Sequence, residues 1–363
     1  MRKAVRFRDI DWVLLALALA IAVVGIVEIY STTVQTALAG QVRRQVYWVL
    51  LGLVLSLAVG RFDYHLILEQ VPWLYGLTVL GLGALLVLGR PIAGARRWVP
   101  IIGGLTFQVS EIAKLVIILT VAAYFAERQG KFVTWKDFAK LGILVGLPAV
   151  LVALEPDLGT ALTFFPIAAA GFFLAGVRAR HLAVLALLGA LMLPVGWHFL
   201  KPYQRERLTS YVHPSRNIQG SSYQATQSKI AIGSGGFWGK GIGSGTQSRL
   251  GFVPVSHADF IFAAYAEEQG FVGTVLVLLL YLALLLRLLD GAQTAGDRAG
   301  AFLLVGFAAV LFFQVAVNIG MVIGFFPITG IPLPLMSQGG SSALFTFLGL
   351  GLALSVNMRR FVN

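Results

Sequence analysis

The segment Pro254-Val-Ser-His257-Ala-Asp259-Phe-Ile-Phe places a carboxylate at the start of a long apolar run, with Glu267 and Glu268 following inside that run. Ionisable side chains near the bilayer core are costly and are found where they have a task. Three carboxylates and the His257 imidazole so close to lipid suit a general base, a metal ligand or a proton path. Asp259 is the sharpest candidate of the four. Zinc-type ligand spacing is absent. The chain has no Cys, which excludes disulfides, thiolate metal sites and cysteine nucleophiles.

Two further charged groups stand at helical spacing. Glu111 and Lys114, at i and i+3, share one face of an apolar helix near its end. They form either an ion pair joining helices or the wall of a polar cavity. Glu155-Pro-Asp157-Leu-Gly-Thr160 interrupts the apolar pattern, and Asp157 is placed to cap the helix that follows. Substrate or metal contact is the other reading of that pair.

Glycine recurs at 233, 235, 236, 239, 241, 243 and 245, a backbone that can approach a ligand closely. It is not a P-loop: Gly239-Lys240 would need Gly at 234 and Ser or Thr at 241, where Ser and Gly stand. Ile230, Ile232, Phe237 and Trp238 inside this stretch argue for order or a membrane-dipping segment rather than a free loop. Near the C-terminus, three prolines stiffen Pro327-Ile-Thr-Gly-Ile-Pro-Leu-Pro334. Gly339-Gly-Ser341-Ser342 then opens the last helix, whose N-terminus can hold an anion or be capped by its own serines.

The elements that must position these groups follow from composition. Of 363 residues, 58% are hydrophobic and 12% charged, and the mean hydropathy is +0.83. A soluble domain carries about 25% charged residues, so this chain cannot clothe a water-exposed surface. It is an all-α integral membrane protein, a polytopic bundle of ten expected spans near 11–30, 45–60, 70–89, 110–126, 138–154, 160–177, 181–199, 270–289, 300–325 and 341–358. The runs are continuous rather than alternating, which argues against a β-barrel. The basic N-terminus reads as the flank of an uncleaved first span, because no polar start follows the apolar run. All of 1–363 forms one transmembrane domain, with 200–260 as a long extracytoplasmic loop between the seventh and eighth spans.

Net charge +12 is mainly topological. Fifteen Lys and Arg fall on the side of the termini and five in the short loops opposite, so both termini are expected in the cytoplasm. Another seven lie in the long loop.

Taken together these segments resemble the SEDS family over nearly the whole chain. Arg97-Trp98, Phe107-Gln-Val-Ser-Glu111-Ile-Ala-Lys114, Glu155-Pro-Asp-Leu-Gly-Thr160, Tyr223-Gln224, Gln227-Ser228, the Gly-Lys-Gly then Gly-Thr-Gln247 block, His257-Ala-Asp-Phe-Ile-Phe-Ala263 with Glu267-Glu268, and Pro327 to Pro334 are similar to its motifs. The glycine block and the short tails are more similar to its cell-shape branch than to its division branch. Val109 stands where Pro is usual, Val255 where Glu is, Ala258 where Thr is and Gln338 where Tyr is. None of these departures touches Asp259, Glu111 or Lys114.

The resemblance implies a peptidoglycan glycosyltransferase that polymerises lipid II into β-1,4 glycan strands at the outer face of the bacterial plasma membrane during cell elongation. The donor is a glycan on undecaprenyl diphosphate. The family's essential aspartate corresponds to Asp259, either as general base on the acceptor hydroxyl or as ligand of a divalent cation, Mg or Mn. Glu111 and Lys114 line the same cavity, and Arg205, Arg207, Lys229, Lys240 and Arg249, with Ser341, are candidates for diphosphate or headgroup contact. The implied partner is a class B penicillin-binding protein, a transpeptidase of the elongation complex, and no nucleic acid is expected. A lipid II flippase is the alternative. The clustering of charge at one face rather than at midplane favours the enzyme, since a transporter lines a path through the middle. The Asp259 surroundings argue against a third reading, a scaffold that only recruits the transpeptidase.

Overall fold

The structure is a computed structural model that describes residues 10–34, 36, 38–89, 98–100, 106–128, 133–181, 183–184, 187, 191, 197–198, 200–212 and 220–360. The described elements run α1 Trp12–Thr33, α2 Gly40–Arg61, α3 Tyr64–Glu69, α4 Val71–Leu88, β1 Trp98–Pro100, β2 Thr106–Gln108, α5 Val109–Glu127, α6 Trp135–Leu154, α7 Leu158–Leu162, α8 Phe164–Leu174, α9 Pro202–Val212, α10 Ser221–Gly235, α11 Thr246–Arg249, α12 Ile261–Gln293, α13 Arg298–Ile323 and α14 Gly340–Arg359.

Eight of these helices are long and apolar enough to cross a membrane: α1, α2, α4, α5, α6, α12, α13 and α14. The expected span at 160–177 is broken at Thr163 into α7 and α8. The expected span at 181–199 lies largely outside the described residues. Large apolar side chains at the periphery of the bundle, such as Trp73, Leu77, Leu80, Val87 and Phe173, are exposed, as lipid-facing residues must be. The α5, α13 and α14 helices are mostly buried and form the centre. Small residues let helices close up there. Gly52 lies against the Phe347 ring, and Gly351 against the backbone of Ser56, so α2 and α14 pack face to face.

The 33 residues of α12 exceed what a bilayer requires at 1.5 Å per residue. Gly270, with φ +64° and ψ −163°, breaks the helix. Residues before the break are buried in protein, whereas Phe271, Leu276, Leu279 and Leu282 beyond it are exposed to the surroundings of the bundle. A broken helix leaves backbone groups without partners, which a membrane cannot tolerate. The glycine-rich segment supplies them. The Lys240 and Gly241 N–H groups donate to the Glu267 and Glu268 carbonyls, and the Phe271 and Val272 N–H groups donate to the Gly236 and Phe237 carbonyls. The segment is therefore ordered, and its side chains are bound as well. Glu267, fully buried, accepts from Lys240 Nζ at 2.7 Å, Thr246 Oγ1 at 3.1 Å and the Gln247 and Ser248 N–H groups at 2.9 and 3.2 Å. Glu268 accepts from Ser31 Oγ of α1 at 2.5 Å and from the Gly243 N–H at 3.1 Å.

At the opposite end of the bundle, Asp297 caps α13 through the Gly300 N–H at 2.8 Å. It also receives the Tyr64 hydroxyl at 2.8 Å and faces His65 Nε2 at 2.6 Å. The other ring nitrogen of His65 faces Asp63 at 2.9 Å. Asp11 joins the same end together, capping α1 through the Leu14 N–H while accepting from Arg287 and Asn357.

Candidate active site

Asp259 is partly buried in the turn ahead of α12. Opposite it lies the 326–339 connection between α13 and α14. A methyl group placed on Gly330 would stand 3.6 Å from Asp259 Oδ2 and 3.8 Å from Arg207 Nη1. The carboxylate and the guanidinium therefore converge on one point of this connection, although 52 positions separate them in the chain. Arg207 extends from α9 and donates to the Ile328 carbonyl at 3.2 Å. The arrangement offers a base next to a fixed positive charge, which suits a hydroxyl attacking a phosphate-linked carbon.

The connection is held from several sides. Gly25 of α1 lies so close that a methyl group on it would sit 2.5 Å from the Met336 carbonyl oxygen. Gly159 of α7 meets the Thr329 carbonyl in the same way at 2.7 Å. Gln45 of α2 accepts from the Gly339 N–H at 3.2 Å, and Trp48 packs on Gly340. Burial pushes the His257 imidazole below its usual value.

Glu111 and Lys114 are paired at 2.8 Å on α5, both buried, with the ammonium 4.1 Å from the centre of the Phe345 ring of α14. Lys114 has no other hydrogen-bond acceptor among the described residues. A strand pair unseen in the sequence brings the chain to this helix. β1 and β2 are antiparallel, with Trp98 opposite Gln108, and β2 runs directly into α5. Gln108 then links three elements: its N–H donates to Ser341 Oγ at 2.9 Å, and its amide donates to Asp157 Oδ2 at 2.7 Å. Asp157 caps α7 through the Thr160 N–H at 3.1 Å. Gly339, not a serine, occupies the N-cap position of α14, and Ser341 instead serves Gln108.

The remaining basic candidates lie apart from Asp259 in role. Arg205 donates to the Trp197 and His198 carbonyls, Arg249 to the Gly243 carbonyl, and Lys240 to Glu267. The exposed Lys229 lies over Gly324 at the end of α13. Among the described residues no group of three or more His, Cys, Asp or Glu is arranged to hold a metal. Asn318 and Ser337, which no motif or charge pattern singled out, prove to touch the Asp259 segment directly.

Fold and site together define a polytopic membrane protein whose candidate carboxylate lies in the turn ahead of a long helix. The chain belongs to the FtsW/RodA/SpoVE family of cell cycle proteins, which matches residues 11–361. It is 37% identical to the peptidoglycan glycosyltransferase MrdB of Escherichia coli K12, over 97% of this chain and 94% of that one. It is 31% identical to the peptidoglycan glycosyltransferase RodA of Treponema pallidum, over 97% and 98%. Among solved structures it is similar to a chain of a peptidoglycan synthase complex that coordinates polymerization and crosslinking, at TM-score 0.84 and 35% identity over 98% and 99% of the two chains. It is similar also to the rod shape determining protein RodA of Thermus thermophilus, at TM-score 0.73 and 33% identity over 98% of each.

Proposed function

We propose that this chain is a peptidoglycan glycosyltransferase that polymerises lipid II into β-1,4 glycan strands at the outer face of the plasma membrane, with both termini in the cytoplasm, during cell elongation. The observation that carries this reading is the convergence of Asp259 and Arg207 on Gly330. Membership of the family and the named activities of the relatives support it.

In this reading the acceptor's GlcNAc 4-hydroxyl gives its proton to Asp259 as its oxygen bonds to the anomeric carbon of the donor. The bond from that carbon to the diphosphate breaks, and the undecaprenyl diphosphate leaves with the electron pair. One displacement turns an α-linked donor into a β bond, so one base suffices. Arg207 faces the departing charge. Lys114, held by a single carboxylate and a ring face, keeps donor capacity for a phosphate oxygen. In the alternative role, Asp259 would hold a magnesium or manganese ion instead of taking the proton, since such ions bind through one or two carboxylates together with substrate phosphates. When bound, the ion would neutralise the leaving diphosphate. The partner in this reading is a class B penicillin-binding protein, in keeping with the solved complex that joins polymerization to crosslinking.

The test uses purified protein with its transpeptidase partner on lipid II in detergent. Glycan chains from the wild type and none from Asp259→Ala are expected. Movement of lipid II across vesicles without polymer under any cation condition would favour a flippase and sink the reading.

A further inference from the structure

The backbone that carries Asp259 is gripped at three consecutive carbonyls. Gln338 donates its N–H to the His257 carbonyl at 3.0 Å, and Ser337 Oγ donates to the Ala258 carbonyl at 2.7 Å. Asn318 Nδ2 donates to the Asp259 carbonyl at 3.0 Å. Ser337 is itself fixed by the Leu333 N–H, which donates to its oxygen at 2.8 Å. Two of the three donors therefore belong to the 326–339 connection. The third comes from α13 and does more than hold Asp259, since the same Asn318 amide donates to the Ile331 carbonyl at 2.8 Å. Two carbonyl oxygens can be met only by the NH2 end of the amide, so the orientation of this side chain is fixed by its partners. Asn318 is fully buried. It carries no charge.

From this geometry we infer that Asn318 is a positioning residue for the glycosyl transfer: one amide ties the turn bearing Asp259 to the connection bearing Gly330 and so sets the distance across which base and guanidinium meet. The inference rests on the reading of Asp259 as the base. A side chain that only stabilised the bundle would not need both hydrogens of one nitrogen on these two segments. Displacement of a base by about 1 Å is enough to cost on the order of a hundredfold in rate, and a buried two-hydrogen clamp is the device that prevents it.

The test compares Asn318→Leu, Asn318→Asp and Asp259→Ala with the wild type, each as the full chain with its partner, polymerising lipid II in detergent over a range of pH. Asn318→Leu keeps the volume but donates nothing. Its kcat is expected to fall by about tenfold or more while KM for lipid II stays within about twofold, the pattern of a lost transition-state alignment. The carboxyl introduced by Asn318→Asp donates one hydrogen bond when protonated and none when ionised, so kcat of that variant starts below the wild type and falls further as pH rises. That falling limb is expected to be absent from the wild type, whose amide donates at every pH. If Asn318→Leu does not fold, the falling pH limb of Asn318→Asp decides the matter. An Asp259→Ala variant without activity beside Asn318 variants that keep wild-type kcat and pH profile would overturn the positioning role alone. So would a loss of kcat matched by loss of folded protein with the falling pH limb absent. Activity in Asp259→Ala would instead remove the reading of the base on which the inference stands.

Discussion

His65 stands with Nε2 2.6 Å from Oδ2 of Asp297, binding the short α3 helix to the N-terminus of α13. Burial pushes the imidazole down, but hydrogen bonds and charge from Asp297 and Asp63 outweigh it and leave His65 above its ordinary value. Burial likewise pushes the two carboxyls up, and their hydrogen bonds from His65, from backbone and from Tyr64 hold both below the usual range.

A raised histidine stabilises the fold in full below its unfolded value near 6.5, and that stabilisation is lost as pH rises through the higher folded value. The depressed carboxyls act in the other direction: their contribution is complete above about 3.9 and is lost as pH falls through their lower folded values. Thermal stability in detergent is therefore expected to peak in the mildly acidic range and to decline above neutrality. His65→Gln is expected to flatten the decline. Equal slopes for the two proteins above pH 6.5 would show that the triad does not carry it.

Glu267 gathers Lys240, Thr246 and two backbone N–H groups into one buried carboxylate. Removing it leaves those donors unmatched. Glu267→Ala is expected to cost about 3 kcal/mol and to open the 236–249 segment to protease. Lys240→Met, which leaves the other donors in place, is expected to do less of both. Cleavage of that segment at the wild-type rate in Glu267→Ala would refute its role as the anchor.

Gly25 of α1 admits the backbone of Met336 so closely that any side chain must displace it. Gly25→Ala is expected to destabilise the bundle by about 1–3 kcal/mol. Because Met336 sits beside the residues that clamp the Asp259 turn, polymerisation is expected to fall as well. A variant with wild-type melting temperature and wild-type product length would show that α1 yields freely.

Val255 has φ +52°, a left-handed conformation that a β-branched residue adopts only under strain. Val255→Asn removes a conflict worth about 1 kcal/mol without touching the Asp259 side chain. A higher melting temperature is the expected result, and a lower one would place the strain elsewhere.

Eight of the ten expected spans were legible because an apolar run of bilayer length is a property of composition, and α5 could be assigned its Glu111–Lys114 face from helical periodicity alone. Asp157 as a cap is equally local, since donor and acceptor lie three residues apart. The convergence of Arg207 with Asp259 is not local: it depends on where the 326–339 connection folds back, and no spacing encodes that. Asn318 was hidden for a different reason. An uncharged amide in an apolar helix carries no pattern, and its importance lies wholly in which carbonyls it meets. The break in α12 did leave a trace, because the run from Phe260 to Leu289 is longer than a bilayer requires and contains Gly270 near its start.

That break also dictates an order of events during biosynthesis. The amides and carbonyls exposed around Gly270 are matched by residues 236 to 241, which emerge from the ribosome before α12 does. The earlier segment can make these bonds only once the later helix has been made. A spanning helix whose broken first third is completed by a stretch made about thirty residues earlier cannot mature alone, so an insertion between residues 241 and 260 is expected to act as a defect in membrane integration before it acts on catalysis.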